Sequence, residues 1–302
     1  MTVHRFSPSV FHRTMGPHPP ALRVCDGDTI VTQTVDSMGR DQRDEAITAP
    51  GNPQTGPFYV EGAEPGDTLL VRFDRIVPNR RTGWSYSLVQ PTVLDPTAAS
   101  TLPPDVPAAW AIDTDRGTVM LVSPESSAAP LRLPLRAMLG CFGVAPPLGQ
   151  TVTTATAGSY GGNMDYPGFV SGVVVHLPVV VPGALLFVGD GHAAQGDGEI
   201  TGTGVEVSCD VELTVRVRKH VRITAPRAED PDYLFTVGNA RPLEECVQQA
   251  TSEMLRWLQQ DHCLGGAAAH LLMGAVVRYE FGNLCNLART VVCKIPKSAL
   301  AM

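Results

Sequence analysis

Glu206-Val207-Ser208-Cys209-Asp210-Val211-Glu212-Leu213-Thr214-Val215-Arg216-Val217 alternates apolar and polar side chains without a break. Val207, Cys209, Val211, Leu213, Val215 and Val217 fall on one face, and the acids, hydroxyls and Arg216 fall on the other. A period of two over 206–217 predicts a strand with one face in a core and one towards water, as in a sandwich or barrel.

The stretches on either side repeat the design. Residues 21–24 run into the turn Asp26-Gly27-Asp28, and 29–35 alternate again. Glu64-Pro65-Gly66-Asp67 is a turn followed by an apolar strand over 68–73, and Val181-Pro182-Gly183 introduces another over 184–188. The shared Pro-Gly-x-x-Leu spacing hints at an internal duplication, although turn chemistry alone explains it. Residues 83–129, rich in Pro, Ser and Thr, read as long loops around short strands, either wandering over the surface or covering a site. Helical period emerges only near the C-terminus. Leu243, Val247, Ala250, Met254 and Leu258 make one apolar face behind a Pro and two acids. A shorter helix is expected over 266–276 and a closing strand over 290–296.

Composition narrows the function. The 302 residues include 29 Gly and 26 Pro, which favours many turns and short strands. The net charge is −7 with no basic stripe, so neither a nucleic acid nor an anionic membrane is an expected partner. No apolar run reaches the ~20 residues of a membrane span, and the first residues lack the pattern of a signal peptide. Seven cysteines without a CxxC pair read as reduced thiols of a cytoplasmic protein.

The densest polar cluster is Gly189-Asp190-Gly191-His192-Ala193-Ala194-Gln195-Gly196-Asp197-Gly198-Glu199, directly after an apolar strand. Asp190 and His192 are two apart, so on extended chain they share a face, and a carboxylate with an imidazole can hold a divalent metal. Zinc suits mixed nitrogen and oxygen ligands best. A solvated Asp/Gly loop is the plain alternative. A calcium loop is another, although Gly191, His192 and Ala193 interrupt the alternating oxygens of an EF-hand. A second cluster, Gly158-Ser159-Tyr160-Gly161-Gly162-Asn163-Met164-Asp165-Tyr166, offers Asp165 as a further ligand or is an ordinary glycine-rich hairpin.

The segment 189–199 resembles the signature of the acetamidase/formamidase family. Gly161-Gly162-Asn163-Met164-Asp165, the stretch Thr55-Gly56-Pro57-Phe58-Tyr59-Val60-Glu61-Gly62-Ala63-Glu64-Pro65-Gly66-Asp67, and Gly140-Cys141-Phe142-Gly143-Val144-Ala145-Pro146 resemble its other landmarks, in family order. The resemblance covers residues 20–260, and Tyr279-Glu280-Phe281-Gly282-Asn283-Leu284-Cys285-Asn286 carries less of the pattern.

The resemblance implies a mainly β fold, a jelly-roll-like β-sandwich over 1–240 with a small C-terminal helical segment over 241–302 packed on the same domain. It also implies hydrolysis of small aliphatic amides, with small lactams as a related class, in a metal-dependent homo-oligomer. Asp165, Asp190 and His192 would then hold zinc, with calcium as the second choice. Glu199 first, and Glu61 second, would pass a proton to the departing nitrogen. The rival reading is a non-catalytic β-sandwich binding module with a structural metal site. Cys141 as a nucleophile lacks the context of a thiol amidase, and His176, inside an apolar run, reads as a core histidine.

Overall fold

The computed structural model describes residues 1–123 and 130–300; the end of the 83–129 stretch, at 124–129, lies outside the described residues. The expected mainly β architecture is what forms, with two large sheets, a four-stranded and a two-stranded sheet, and two C-terminal helices among the described residues.

The quoted alternation produces the strand Cys209–Arg218, an interior strand third from one edge of a nine-stranded sheet. It runs antiparallel to Thr68–Pro78, from Cys209 opposite Pro78 to Arg218 opposite Thr68. Cys209, Val211, Leu213 and Val215 are buried, and Asp210, Glu212 and Thr214 are half-buried on the other face. The strand starts three residues later than the pattern predicts. Glu206 and Val207 leave this sheet: Glu206 exchanges backbone hydrogen bonds with Trp84, and Val207 N–H donates to the Gly191 carbonyl at 2.8 Å. The polar face predicted for 206–217 is therefore wrong at its first two positions, because Glu206 and Ser208 are buried.

The second large sheet has six strands, with Met138–Gly143 and Leu186–His192 side by side at its centre. Every residue of both strands is buried, as expected for strands covered on two faces. The two sheets share one core, in which Phe73 of one meets Phe142 of the other edge-on, with centroids 5.0 Å apart.

The short strands expected within 83–129 form, over its described residues, part of a sheet of their own. Thr82–Ser85, Ala108–Asp113, Thr118–Ser123 and Arg132–Pro134 form a four-stranded antiparallel sheet. A short helix, Pro96–Ser100, is capped by the Asp95 carboxylate, which accepts from the backbone N–H groups of Thr97 and Ala98.

The C-terminal helices are Leu243–Asp261 and Gly266–Val276, and the strands Arg278–Phe281 and Arg289–Pro296 extend the nine-stranded sheet. The first helix is turned from its predicted face. Cys246, Ala250, Glu253, Met254, Trp257 and Leu258 are buried, whereas Leu243 and Val247 are only half-buried. The cause is Glu253, which accepts from Arg227 Nε at 2.7 Å and from Thr224 Oγ1 at 2.6 Å, while the Arg227 guanidinium lies over Trp257. A fully paired buried acid brings its side of the helix inward.

Gly238 makes this packing possible. A Cβ there would lie 1.9 Å from the Cys246 carbonyl oxygen of the helix above. Gly238→Ala is expected to push the helix off the sheet and destabilise the fold by ~1–3 kcal/mol, the usual range for overpacking. A thermal unfolding midpoint equal to that of the parent would contradict this account of the contact.

Candidate active site

The strand Leu186–His192 ends in the predicted cluster, and its geometry is not simple alternation. Asp190 has φ of +61°, so the pleat breaks at that residue. Its carboxylate nevertheless converges with the imidazole, Asp190 Oδ1 lying 3.4 Å from His192 Nε2. Glu206, brought beside His192 by an isolated β-bridge, places Oε1 2.9 Å from the same nitrogen. Asp165 and Glu199 close the other side, so the structure gathers Asp165, Asp190, His192 and Glu199 in one buried place.

Two compact donor groups share His192. One is Asp165, His192 and Glu199, the other Asp190, His192 and Glu206, with the ligand atoms of each group within 4.8 Å of one another. Neither group contains all three residues expected as ligands, and Glu206 was not foreseen at all. Its position in an alternating stretch marks it as a solvated strand acid, and only the pairing with Trp84 and His192 shows otherwise.

Glu61 does not join them. It follows the strand Thr55–Val60, and its side chain pairs in solvent with Arg23 at 2.9 Å. The site lies near the Thr55 end of that strand, where Thr55 is opposite Val188. Six residues at ~3.3 Å each separate the two ends by roughly 20 Å. What this segment contributes comes instead from just before the strand: Asn52 Nδ2 donates to Asp190 Oδ2 at 3.0 Å.

Neutral donors hold the rest of the cluster. Asn283 and Asn286 each donate to Asp165 Oδ2, at 3.0 and 3.1 Å, and Ser37 Oγ donates to Glu206 Oε2 at 2.6 Å. The two asparagines come from the segment that carries least of the family pattern. Gln195 Nε2 donates to the Asp165 carbonyl at 2.5 Å, so its Oε1 must be the atom that faces His192 Nδ1 at 2.7 Å. Nδ1 therefore carries a hydrogen, and Nε2 is the nitrogen turned to the acids.

Gly140 is the floor. A Cβ there would lie 2.4 Å from Asp165 Oδ1, 2.8 Å from Asp190 Oδ2 and 3.1 Å from His192 Cε1. Four residues of the site have left-handed backbone: Asn52 at φ +55°, Asp165 at +47°, Asp190 at +61° and Glu199 at +47°. Asp and Asn tolerate this region, but Glu does so rarely, and such conformations cluster where function requires them.

The electrostatics are those of acids out of water. Burial, reinforced by Glu199 and Asp190, pushes the Asp165 carboxyl well up from its ordinary value. Burial likewise raises Glu199, to about 8, with Asp190 and Glu206 adding to the shift against His192. For His192, burial acts downward, but Glu206 and Asp190 outweigh it and hold the imidazole well above its ordinary value. Asp165 Oδ1 is buried without a hydrogen-bond partner, and none of the acid oxygens near His192 Nε2 lies in line with that nitrogen for a hydrogen bond. A divalent cation fits this donor set, because it meets both orphaned atoms and neutralises carboxylates that cannot all ionise side by side.

Cys141 is also buried here, and burial first, then Asp190 and Asp165, pushes its thiol well up. A buried thiol held in its protonated form is a poor nucleophile. His176 is the core histidine that the sequence suggested, buried 5.3 Å from the Trp257 ring.

The cluster opens into a cavity of about 290 Å³. Asp190, Glu199, Glu206 and Asn286 line its acidic side, and Met38, Trp84 and Tyr86 face them.

Residues 136–249 match the acetamidase/formamidase family. A Schizosaccharomyces pombe protein named as a formamidase is 25% identical over 70% of this chain and 65% of its own length. An acetamidase of Mycolicibacterium smegmatis is 29% identical over 65% of this chain and 60% of its own. The chain thus spans less than two thirds of the curated relatives it matches. The crystal structure of an acetamidase from Bacillus halodurans superposes with a TM-score of 0.84 at 30% identity, covering 98% of each chain.

Gly140→Ala tests the floor directly. The added methyl should lower the Zn²⁺ or Ca²⁺ bound per chain, measured by elemental analysis after dialysis, while circular dichroism keeps its β-type spectrum. Parent-like metal content would show that the acids do not close on one another over Gly140.

Proposed function

This chain belongs to the acetamidase/formamidase family, and from that premise we propose that it hydrolyses carboxamides to a carboxylic acid and ammonia with a divalent cation, zinc, at the buried cluster. The observation that carries the reading is the pair of orphaned buried atoms, Asp165 Oδ1 and His192 Nε2, among four carboxyls at the base of a cavity. A cation bound between them would give both atoms a partner.

The reaction adds water to the amide carbon and breaks its C–N bond, with a proton delivered to nitrogen because an amide anion is too poor a leaving group. His192, through Nε2, would hold the cation with Asp190 and Glu206 on one side and Asp165 on the other. When bound, such an ion polarises a carbonyl and lowers the pKa of coordinated water to about 7. Gln195 fixes the His192 tautomer that leaves Nε2 free to ligate. Glu199 borders the cavity and is buried, so its carboxyl can keep a proton and release it to the departing nitrogen. Asn52, Asn283 and Asn286 each fix one oxygen of a carboxylate and leave its partner oxygen for the cation.

Asp190→Ala and His192→Ala should lose both bound metal and ammonia release from formamide and acetamide. Glu199→Gln should keep its metal while kcat falls ~10²–10⁴-fold, the range for a general acid–base group. Parent-like turnover in the first two variants would remove the cluster from the reaction. Loss of metal in the third would make Glu199 a ligand instead.

Cys141→Ser is expected to retain most of its turnover. An acyl adduct on Cys141, detected by mass spectrometry, would replace this mechanism by covalent catalysis.

A further inference from the structure

Met38, Trp84 and Tyr86 line two cavities at once. On one side is the space over Asp190, Glu199 and Glu206; on the other is a groove of about 690 Å³ running along the four-stranded sheet. Pro107, Trp110, Ala111 and Val122 continue that groove away from the acids.

The shared wall is fixed in place. Trp84 exchanges backbone hydrogen bonds with Glu206, and its indole Nε1 donates to Asp36 Oδ2 at 3.2 Å. Tyr86 stands edge-on to Trp84 with centroids 5.7 Å apart. The groove's charges are already paired, Arg80 with Asp36 at 2.6 Å and Arg40 with Asp44 at 3.6 Å. What the groove offers a ligand is aromatic and aliphatic surface.

The sizes identify the ligand class. Acetamide needs only roughly 100 Å³, at ~30 Å³ for each water-sized atom group. A groove in the 300–1,000 Å³ range is large enough for a whole drug-sized apolar group. We infer that the preferred substrate is a carboxamide with an extended alkyl or aryl substituent. Its amide lies over the acids, and its substituent passes Trp84 and Tyr86 into the groove. This rests on the amidase reading and deepens it.

The test is a kcat/KM series over acetamide, butanamide, hexanamide and 3-phenylpropanamide, with the zinc-loaded chain. Burial of each methylene is expected to raise kcat/KM roughly fourfold, and 3-phenylpropanamide should exceed acetamide by ~10²-fold. Ala111→Trp, which fills the groove, and Val122→Lys, which places a charge at an already exposed position, should both bring the ratio of 3-phenylpropanamide to acetamide towards one. A flat or falling series in the parent, with acetamide turned over, overturns the substrate class and leaves the amidase reading intact. Failure to hydrolyse any of the four overturns both. Equal losses on all four amides in the two variants would also overturn it, as would a flat series accompanied by a change of assembly on size exclusion, which would give the groove to a second copy of the chain.

Discussion

Four carboxyls, those of Asp165, Asp190, Glu199 and Glu206, surround one imidazole in a place that water barely reaches. Two like charges 4 Å apart repel by about 4 kcal/mol at an effective dielectric of 20. Several such repulsions together rival the ~5–15 kcal/mol that holds a typical domain folded. The cluster must therefore take up protons, as the raised carboxyls do, or a cation. A cation bound only by the folded chain would add stability by mass action. Neutralisation of the cluster is thus a condition of the fold.

The surroundings are built for that exchange. Among the described residues, no Lys or Arg hydrogen-bonds to any of the four acids; their donors are amides and a hydroxyl. A basic side chain would neutralise the cluster permanently, whereas a neutral donor orients a carboxylate and keeps its charge available. Arg80 is close by in the fold but is used up behind the wall, paired with buried Asp36. The left-handed backbone at Asp165, Asp190 and Glu199 points the same way, since the surrounding sheets hold conformations that the local sequence would not choose.

The sequence made the β architecture legible because period-two alternation and turn residues act locally. The buried acid cluster was legible in part because Asp190 and His192 lie in one short glycine-rich run and do converge. Glu206 and the asparagines at 52, 283 and 286 were not, because they reach the site from distant segments through strand pairing that no local pattern encodes. Glu61 failed for the complementary reason: its segment does meet the site, but through the opposite end of the strand. The helix 243–261 was found in the right place with its face misjudged, since a paired buried acid looks polar until Arg227 is seen beside it. Short strands were expected within 83–129, but their pairing into one sheet was not, because Pro and Thr mark loops and edge strands alike.

The acids and the apolar wall are joined by backbone rather than by side chains. Glu206 bridges to Trp84 on one flank and to His192 on the other, so a single chain segment sets the small sheet against the end of Leu186–His192. Side-chain changes at the wall can alter the shape of the cavity while these bridges keep Glu206 beside His192. Changes at Gly140 or Gly204 act otherwise, because a Cβ at either position meets the cluster itself, and at Gly204 it would lie 2.6 Å from the His192 ring. The fold thereby separates a charged centre that tolerates no added atom at these glycines from an apolar rim built of side chains. Within such an arrangement, the shape of the cavity can diverge while the charged centre is kept.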